Sequence, residues 1–368
     1  MKKVSYSQFV RYRNQNARKN SIPVTGCFEL TPLCNLDCKM CYIHLTDPSV
    51  KERMLSGDEW IALMEQAIAR GMISATITGG EAMTHPDFRK IYMYLIGKGI
   101  SVMIKTNGIL LNNDMISLLT EYPPLAIDVS LYGCDSESYI AVTGHDVFET
   151  VTGNIRAAID AGLNIRLMIT PSAYMLPWID RIMDYARTFG ADKVLVSSVL
   201  MEANTDTGRS ISDYGFGIED SLRISRRSHE LFPNSPKNQE EEEEELMGEI
   251  PEDEPRVLPK GLSCNAGRTT FAINWDGTMG PCLNFPRDVI CADVKRIGFN
   301  AAWQEVNHGV KEYEIPEECL GCSYNTGCRY CPSRHRRFAA KHLCDSTVCE
   351  QHKKYTDDIT EYIKKHSF

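Results

Sequence analysis

The sequence predicts an α/β fold: a partial (β/α)6 barrel followed by a small cysteine-rich domain. Three observations predict it. From residue 26 to 201, short apolar runs alternate with amphipathic helical stretches, as in a parallel sheet covered by helices. Three cysteines, Cys34, Cys38 and Cys41, share one loop after the first run. A second set is spread from Cys264 to Cys349. At 368 residues the chain can bury a large core, enough for one big domain and a smaller one.

Residues 1–25 are basic and polar, with Arg11, Arg13, Arg18 and Lys19. They read as a short N-terminal arm, too short for a separate peptide-recognition domain. Gly26 to Pro32 is a strand leading into the cysteine loop. Ser56, with Glu59 three residues on, makes a capping box for a helix to about Arg70. Strands follow at 74–80, 101–108, 125–131, 164–170 and 193–200, separated by helices at 85–98, 113–120, 148–161 and 176–189. An open barrel of this kind has its active site at the C-terminal strand ends. Gly79, Gly80, Glu81, Asn107 and Ser130 all fall there. The glycines allow close backbone approach, and Glu81 can accept from an ammonium group. The plainer reading makes each of them a turn residue. Arg166 either faces the pocket or pairs outside it.

Residues 202–255 interrupt the alternation with a run from Glu240 to Glu245. Such a run is a solvated segment, or an acidic lid that attracts a basic substrate. Asn274-Trp275-Asp276-Gly277, between apolar runs, reads as a β-hairpin turn. The expected divisions are therefore an arm (1–25), a barrel (26–201), an acidic insert (202–255) and a cysteine-rich domain (256–368).

The net charge of −9 argues against a general nucleic-acid binder. No apolar run reaches the roughly 18 residues that cross a membrane. The first residues lack the apolar stretch of a secretory signal. The expected location is the cytoplasm, where fourteen cysteines are metal-binding rather than disulfide-bonded.

The C-x3-C-x2-C spacing of Cys34, Cys38 and Cys41 lets one loop wrap one inorganic cluster. A structural zinc takes four protein ligands, usually as separated pairs. A [4Fe–4S] cube held by three local thiolates keeps one iron open for a small molecule. The alternatives are a zinc knuckle with a distant fourth ligand, or three core cysteines. The triplet, with Gly79-Gly80-Glu81 behind it, resembles the radical S-adenosylmethionine (SAM) enzymes, whose pattern is C-x3-C-x-aromatic-C. Met40 stands where the family usually has the aromatic, and Tyr42 is adjacent. The resemblance implies a SAM-binding [4Fe–4S] cluster on Cys34, Cys38 and Cys41. It also implies that Glu81 holds the SAM amino group with Gly79 and Gly80, that Ser130 touches the ribose, and that Asn107, Met40 and Tyr42 line the pocket.

Cys264 and Cys282, followed by Cys319-x2-Cys322-x5-Cys328-x2-Cys331-x17-Cys349, are too many for one tetrahedral zinc. The arrangement resembles the SPASM extension, an auxiliary iron–sulfur domain of peptide- and protein-modifying radical SAM enzymes. The resemblance implies two auxiliary clusters. Cys319, Cys322, Cys328 and Cys349 would hold the outer one, and Cys264, Cys282 and Cys331 the inner one. Many relatives have a further cysteine upstream, and Val257 to Lys260 offers none. The inner cluster is then open, or closed by Cys291. Cys344 rivals Cys349, and Cys27 and Cys134 are core thiols.

The resemblance implies a maturase that cleaves SAM to a 5′-deoxyadenosyl radical. The radical would take hydrogen from a residue of a ribosomally made peptide, giving a crosslink or an epimerised residue. An anaerobic sulfatase maturase making formylglycine is the rival, and an iron–sulfur electron carrier or redox sensor the non-enzymatic alternative. The partners implied are a peptide or protein substrate, a reductant such as flavodoxin or ferredoxin, and a separate leader-binding protein. No catalytic residue beyond these is legible.

Overall fold

A computed structural model describes residues 6–43, 45, 47–197, 211–233, 235, 260–322, 331–335, 349, 353, 354, 357 and 361. The first nine elements after an N-terminal helix α1 (Tyr6–Lys19) alternate almost strictly. They are β1 (Thr25–Glu29), α2 (Gly57–Ala69), β2 (Ser74–Thr78), α3 (Phe88–Gly97), β3 (Ser101–Thr106), α4 (Asn113–Glu121), β4 (Ala126–Ser130), α5 (Ser136–Thr143) and α6 (Phe148–Asp160). Next come β5 (Ile165–Ile169), α7 (Ile179–Ala186) and β6 (Val194–Val196). β1 to β6 run parallel. The expected capping box opens α2: Ser56 Oγ accepts from Glu59 N, and a Glu59 carboxylate oxygen accepts from Ser56 N at 2.8 Å. Trp60, Leu63, Met64 and Ala67, spaced for one helix face, bury that face against the sheet.

Successive residues of a strand face opposite sides, and this divides the barrel. Phe28, Ile77, Ile104, Ile127 and Leu167 lie buried in the apolar core under the helices. Thr78, Lys105, Asp128, Ser130 and Met168 occupy the other face and line an interior cavity. The inner face is therefore polar, and most of the apolar stabilisation comes from the helix-covered side.

Three differences from expectation stand out. The N-terminal arm is helix α1. A helix, α5, occupies residues left unassigned after Ser130; Asp135 caps it, accepting from Ser138 N at 2.9 Å, and Gly144 ends it at φ 77. The sheet also continues past residue 256. β7 (Thr270–Ile273) pairs in parallel with β1, and β8 (Thr278–Gly280) and β9 (Ala292–Asp293) extend it antiparallel, giving the order β6-β5-β4-β3-β2-β1-β7-β8-β9. The β7–β8 turn is the anticipated one: Asn274 N donates to Thr278 O, and Gly277 takes φ 88. Phe271 of β7 locks the junction, its ring 5.7 Å from Phe28 and 5.1 Å from Phe299. Phe299 and Trp303 belong to the helical segment Val294–Glu312, which is interrupted at Gly298. The acidic run Glu240–Glu245 lies outside the described residues. Among the described residues, no helix is long and apolar enough to cross a membrane.

Candidate active site

The cysteine loop rests on two supports. Gly80 N donates to Thr31 O at 2.7 Å and Glu81 N to Leu33 O at 2.9 Å, tying the loop to the end of β2. A Cβ at Gly79 would lie 2.6 Å from Thr31 O, and one at Gly80 2.4 Å from Leu33 O, so only glycine admits the loop this closely. On the other side, Asp37 N donates to Thr143 O and Lys39 N to Val142 O. Helix α5, absent from the sequence reading, thus offers its terminal carbonyls to the loop.

Cys34, Cys38 and Cys41 line one wall of a cavity of about 420 Å³. Gly79, Gly80, Asn107, Ser130, Met40 and Tyr42 line it too, so the structure gathers all but one of the expected cofactor residues. Asn107 Nδ2 donates to Asn35 Oδ1 at 2.7 Å and approaches Cys34 Sγ at 3.6 Å. Burial pushes the Cys34 thiol up to about 12, against the opposing effect of the Leu36 N–H. A thiol so desolvated becomes a thiolate when a cation arrives, which is the behaviour of a metal ligand. Cys38 is buried and Cys41 half-buried beside it, so the loop brings three thiols to one wall of the cavity.

Glu81 is the exception. Its carboxylate is buried and absent from the cavity lining: Oε2 accepts from Thr106 Oγ1 at 2.9 Å and from Asn107 N at 2.7 Å, and Oε1 from Met83 N at 3.1 Å. Burial raises its pKa, with those three donors opposing. It braces the β2 and β3 ends against each other and holds Asn107 in place.

The inner strand face carries what the sequence reading missed. Asp128, 1% exposed, accepts from Lys105 Nζ and Arg166 Nε, each at 2.7 Å. Arg166 therefore pairs inside the barrel. Period-two alternation along β3, β4 and β5 held the signal. Tyr132, Thr170, Tyr214, Leu283 and Asn284 also line the cavity. The last two directly follow Cys282, so the C-terminal region contributes to the wall.

Burial raises the Cys264 thiol and lifts Cys282 to about 12, and the charge of nearby Cys331 pushes both in the same direction. Cys264, Cys282 and Cys319 pack against Leu262, Phe285, Val310, Tyr313 and Ile315. Cys291 is exposed, among Arg287, Asp276, Asp288 and Glu305. Cys322 N donates to Cys319 O, and Cys349 is half-buried. Cys328 and Cys344 lie outside the described residues. Burial also lifts Cys27 to about 12, and Cys134 precedes the cap of α5.

The profile of the radical SAM superfamily matches residues 28–177, the span from β1 to the segment after β5. Residues 28–177 are a radical SAM domain. Such a domain works with SAM and a [4Fe–4S] cluster. The chain is 23% identical over 355 residues to the antilisterial bacteriocin subtilosin biosynthesis protein AlbA of Bacillus subtilis, covering 93% of this chain and 74% of that protein. Among solved structures, anSMEcpe with bound AdoMet superposes with a TM-score of 0.71 at 16% identity, over 93% of this chain and 99% of that one. Streptococcus suis SuiB bound to S-adenosylmethionine gives 0.67 at 17%, over 95% and 84%. At these identities the structural likeness speaks for the fold alone.

Proposed function

We propose that this chain is a radical SAM peptide maturase, an enzyme that modifies a residue of a ribosomally made peptide by oxidative crosslinking or by epimerisation. One observation carries the proposal. A single cavity at the C-terminal strand ends combines three loop thiols, a close-packed glycine pair and an inner wall supplied by the C-terminal region. AlbA, alike over nearly the whole chain, is named for bacteriocin biosynthesis, which favours a peptide substrate over a protein one.

Cys34, Cys38 and Cys41 would hold a [4Fe–4S] cluster with SAM, which would supply radical chemistry able to remove a hydrogen atom from the substrate. The chain's own residues hold and orient. Gly79 and Gly80 offer backbone, Asn107 and Ser130 offer hydrogen-bonding groups, and Met40 and Tyr42 shape the wall. Lys105 and Arg166 set two cations against one Asp128 carboxylate. That side of the cavity is net positive and suits a ligand carboxylate. Leu283, Tyr214 and Met168 narrow the water-accessible space of the cavity.

The second cysteine set is proposed to hold two auxiliary clusters: an inner one on Cys264, Cys282 and Cys331, and an outer one on Cys319, Cys322, Cys328 and Cys349. Held there, such clusters would supply a place for the electron left by an oxidative crosslink. A flavodoxin- or ferredoxin-type reductant and a separate leader-binding protein complete the system. The test is anaerobic: iron-loaded protein, a reductant and SAM, with 5′-deoxyadenosine quantified and peptides encoded beside the gene examined by mass spectrometry. The expected result is 5′-deoxyadenosine together with a peptide that has lost two hydrogens or gained a D-residue. Reduced, iron-loaded protein that yields no 5′-deoxyadenosine would overturn the proposal.

A further inference from the structure

Helix α1 is fastened to the second cysteine set. Just past its end, Trp303 Nε1 donates to Ser21 O and Lys311 Nζ to Ser21 Oγ, each at 2.8 Å. Ser21 takes φ 53, in the left-handed region, which turns the chain from α1 into β1. Arg18, in the last turn of α1, reaches across to the Cys264 turn. Its Nη2 donates to Ser263 O at 2.9 Å and its Nη1 approaches Asn265 Oδ1 at 3.4 Å, so one guanidinium spans the residues on both sides of Cys264. A second guanidinium sits close by, where Arg268 Nε donates to Leu262 O at 2.8 Å. Arg18 and Arg268 thus bring two guanidinium groups to the turn that carries Cys264.

We propose that Arg18 and Arg268 set the reduction potential of the inner auxiliary cluster, making helix α1 part of that redox centre. This rests on Cys264, Cys282 and Cys331 holding a cluster, as proposed above. Reduction adds one electron to a group already bound by thiolates, and the added negative charge must be met locally. Cations beside the sulfur stabilise the reduced form, and partial burial spares them from screening by salt. Arginine suits the task, because its fork holds two acceptors of the turn while its charge cannot be lost by deprotonation. Arg18 holds the turn on both sides of Cys264, so it is a positioning and tuning residue.

The experiment is a redox titration of the full-length, iron-loaded protein followed by electron paramagnetic resonance. The signal that changes on adding SAM marks the Cys34 site; a signal indifferent to SAM marks the auxiliary clusters. In Arg18→Gln the reduction equilibrium of the inner auxiliary cluster should fall on the order of tenfold, about 59 mV for one electron. The SAM-responsive potential should stay in place. Arg18→Lys, which keeps the charge, should remain near the parent, as should Ser21→Ala, which removes a helix contact and no charge. An unchanged auxiliary potential in Arg18→Gln overturns the inference, and so does an equal shift in Ser21→Ala. If Arg18→Gln retains too little auxiliary iron to titrate, Arg268→Gln decides: a fall in the auxiliary potential there supports tuning by charge, and an unchanged potential overturns it. A parent whose every signal responds to SAM would instead sink the auxiliary-cluster reading.

Discussion

The two cysteine sets are built in opposite ways. Cys34, Cys38 and Cys41 come from eight consecutive residues of one loop, held by β2 on one side and α5 on the other. Cys264, Cys282 and Cys331 come from three separate segments, and what brings the first two to the barrel is the pairing of β7 with β1. The first set needs only a loop and its two supports. The second needs a contact between residues about 245 positions apart, whose loop-closure entropy must be met before any thiol is placed. One site is thus as robust as the barrel, and the other as robust as a single seam.

The strongest way to break this comparison is to empty the first site. Replacing Cys34, Cys38 and Cys41 together by Ala should abolish 5′-deoxyadenosine formation while iron at the second set persists. Loss of all iron in the triple variant would show that the sets assemble together.

A smaller effect should follow from attacking the seam. Phe271→Ala removes a fully buried ring that touches Phe28, Phe299 and Trp303, and should cost about 3–5 kcal/mol in urea denaturation. A loss below about 1 kcal/mol would mean that β7 adds little to the joint.

Smaller still is the effect of Glu29, which also bridges the two regions. At 1% exposure its Oε1 lies 3.9 Å from Arg287 Nη2, too far for a hydrogen bond, and burial raises its pKa from 4.5 to about 7 despite the Arg287 charge. Between these values the folded state binds the extra proton, so stability is fully present below pH 4.5 and falls as pH rises towards 7. The fall should be on the order of 3 kcal/mol. Glu29→Gln should flatten that portion of the stability curve, and an unchanged slope would place the proton elsewhere.

Legibility in the sequence followed the range of the interaction responsible. Strands β1 to β6 were readable because their helix-facing positions are apolar and each lies between helical stretches or loops. The α2 capping box was readable because it closes within three residues. Helix α5 was missed: it is short, and its Asp135–Ser138 capping pair lacks the usual acidic third residue. The hairpin turn was readable, and the partner of its first strand was not, since nothing near Thr270 encodes a register with Thr25. Helix α1 was read as an arm because its composition is basic, and its purchase on Trp303 and Ser263 is long-range. At the candidate site the thiols, glycines, Asn107 and Ser130 were found by motif. The Glu81 carboxylate, expected to meet a ligand, accepts from three protein donors within 3.1 Å: Met83 N in its own turn, and Thr106 Oγ1 and Asn107 N at the end of β3.

The glycine pair at the end of β2 has a thermodynamic corollary. Its contact with Thr31 and Leu33 is made by main-chain atoms alone, so the loop's course is set by the sheet and owes nothing to iron. A zinc finger orders its chain only on meeting its metal, and part of the binding energy is consumed in that ordering. For a cluster held on the loop as proposed, ordering supplied by the barrel would leave more of the thiolates' affinity intact. Cluster capture then resembles docking into a finished socket.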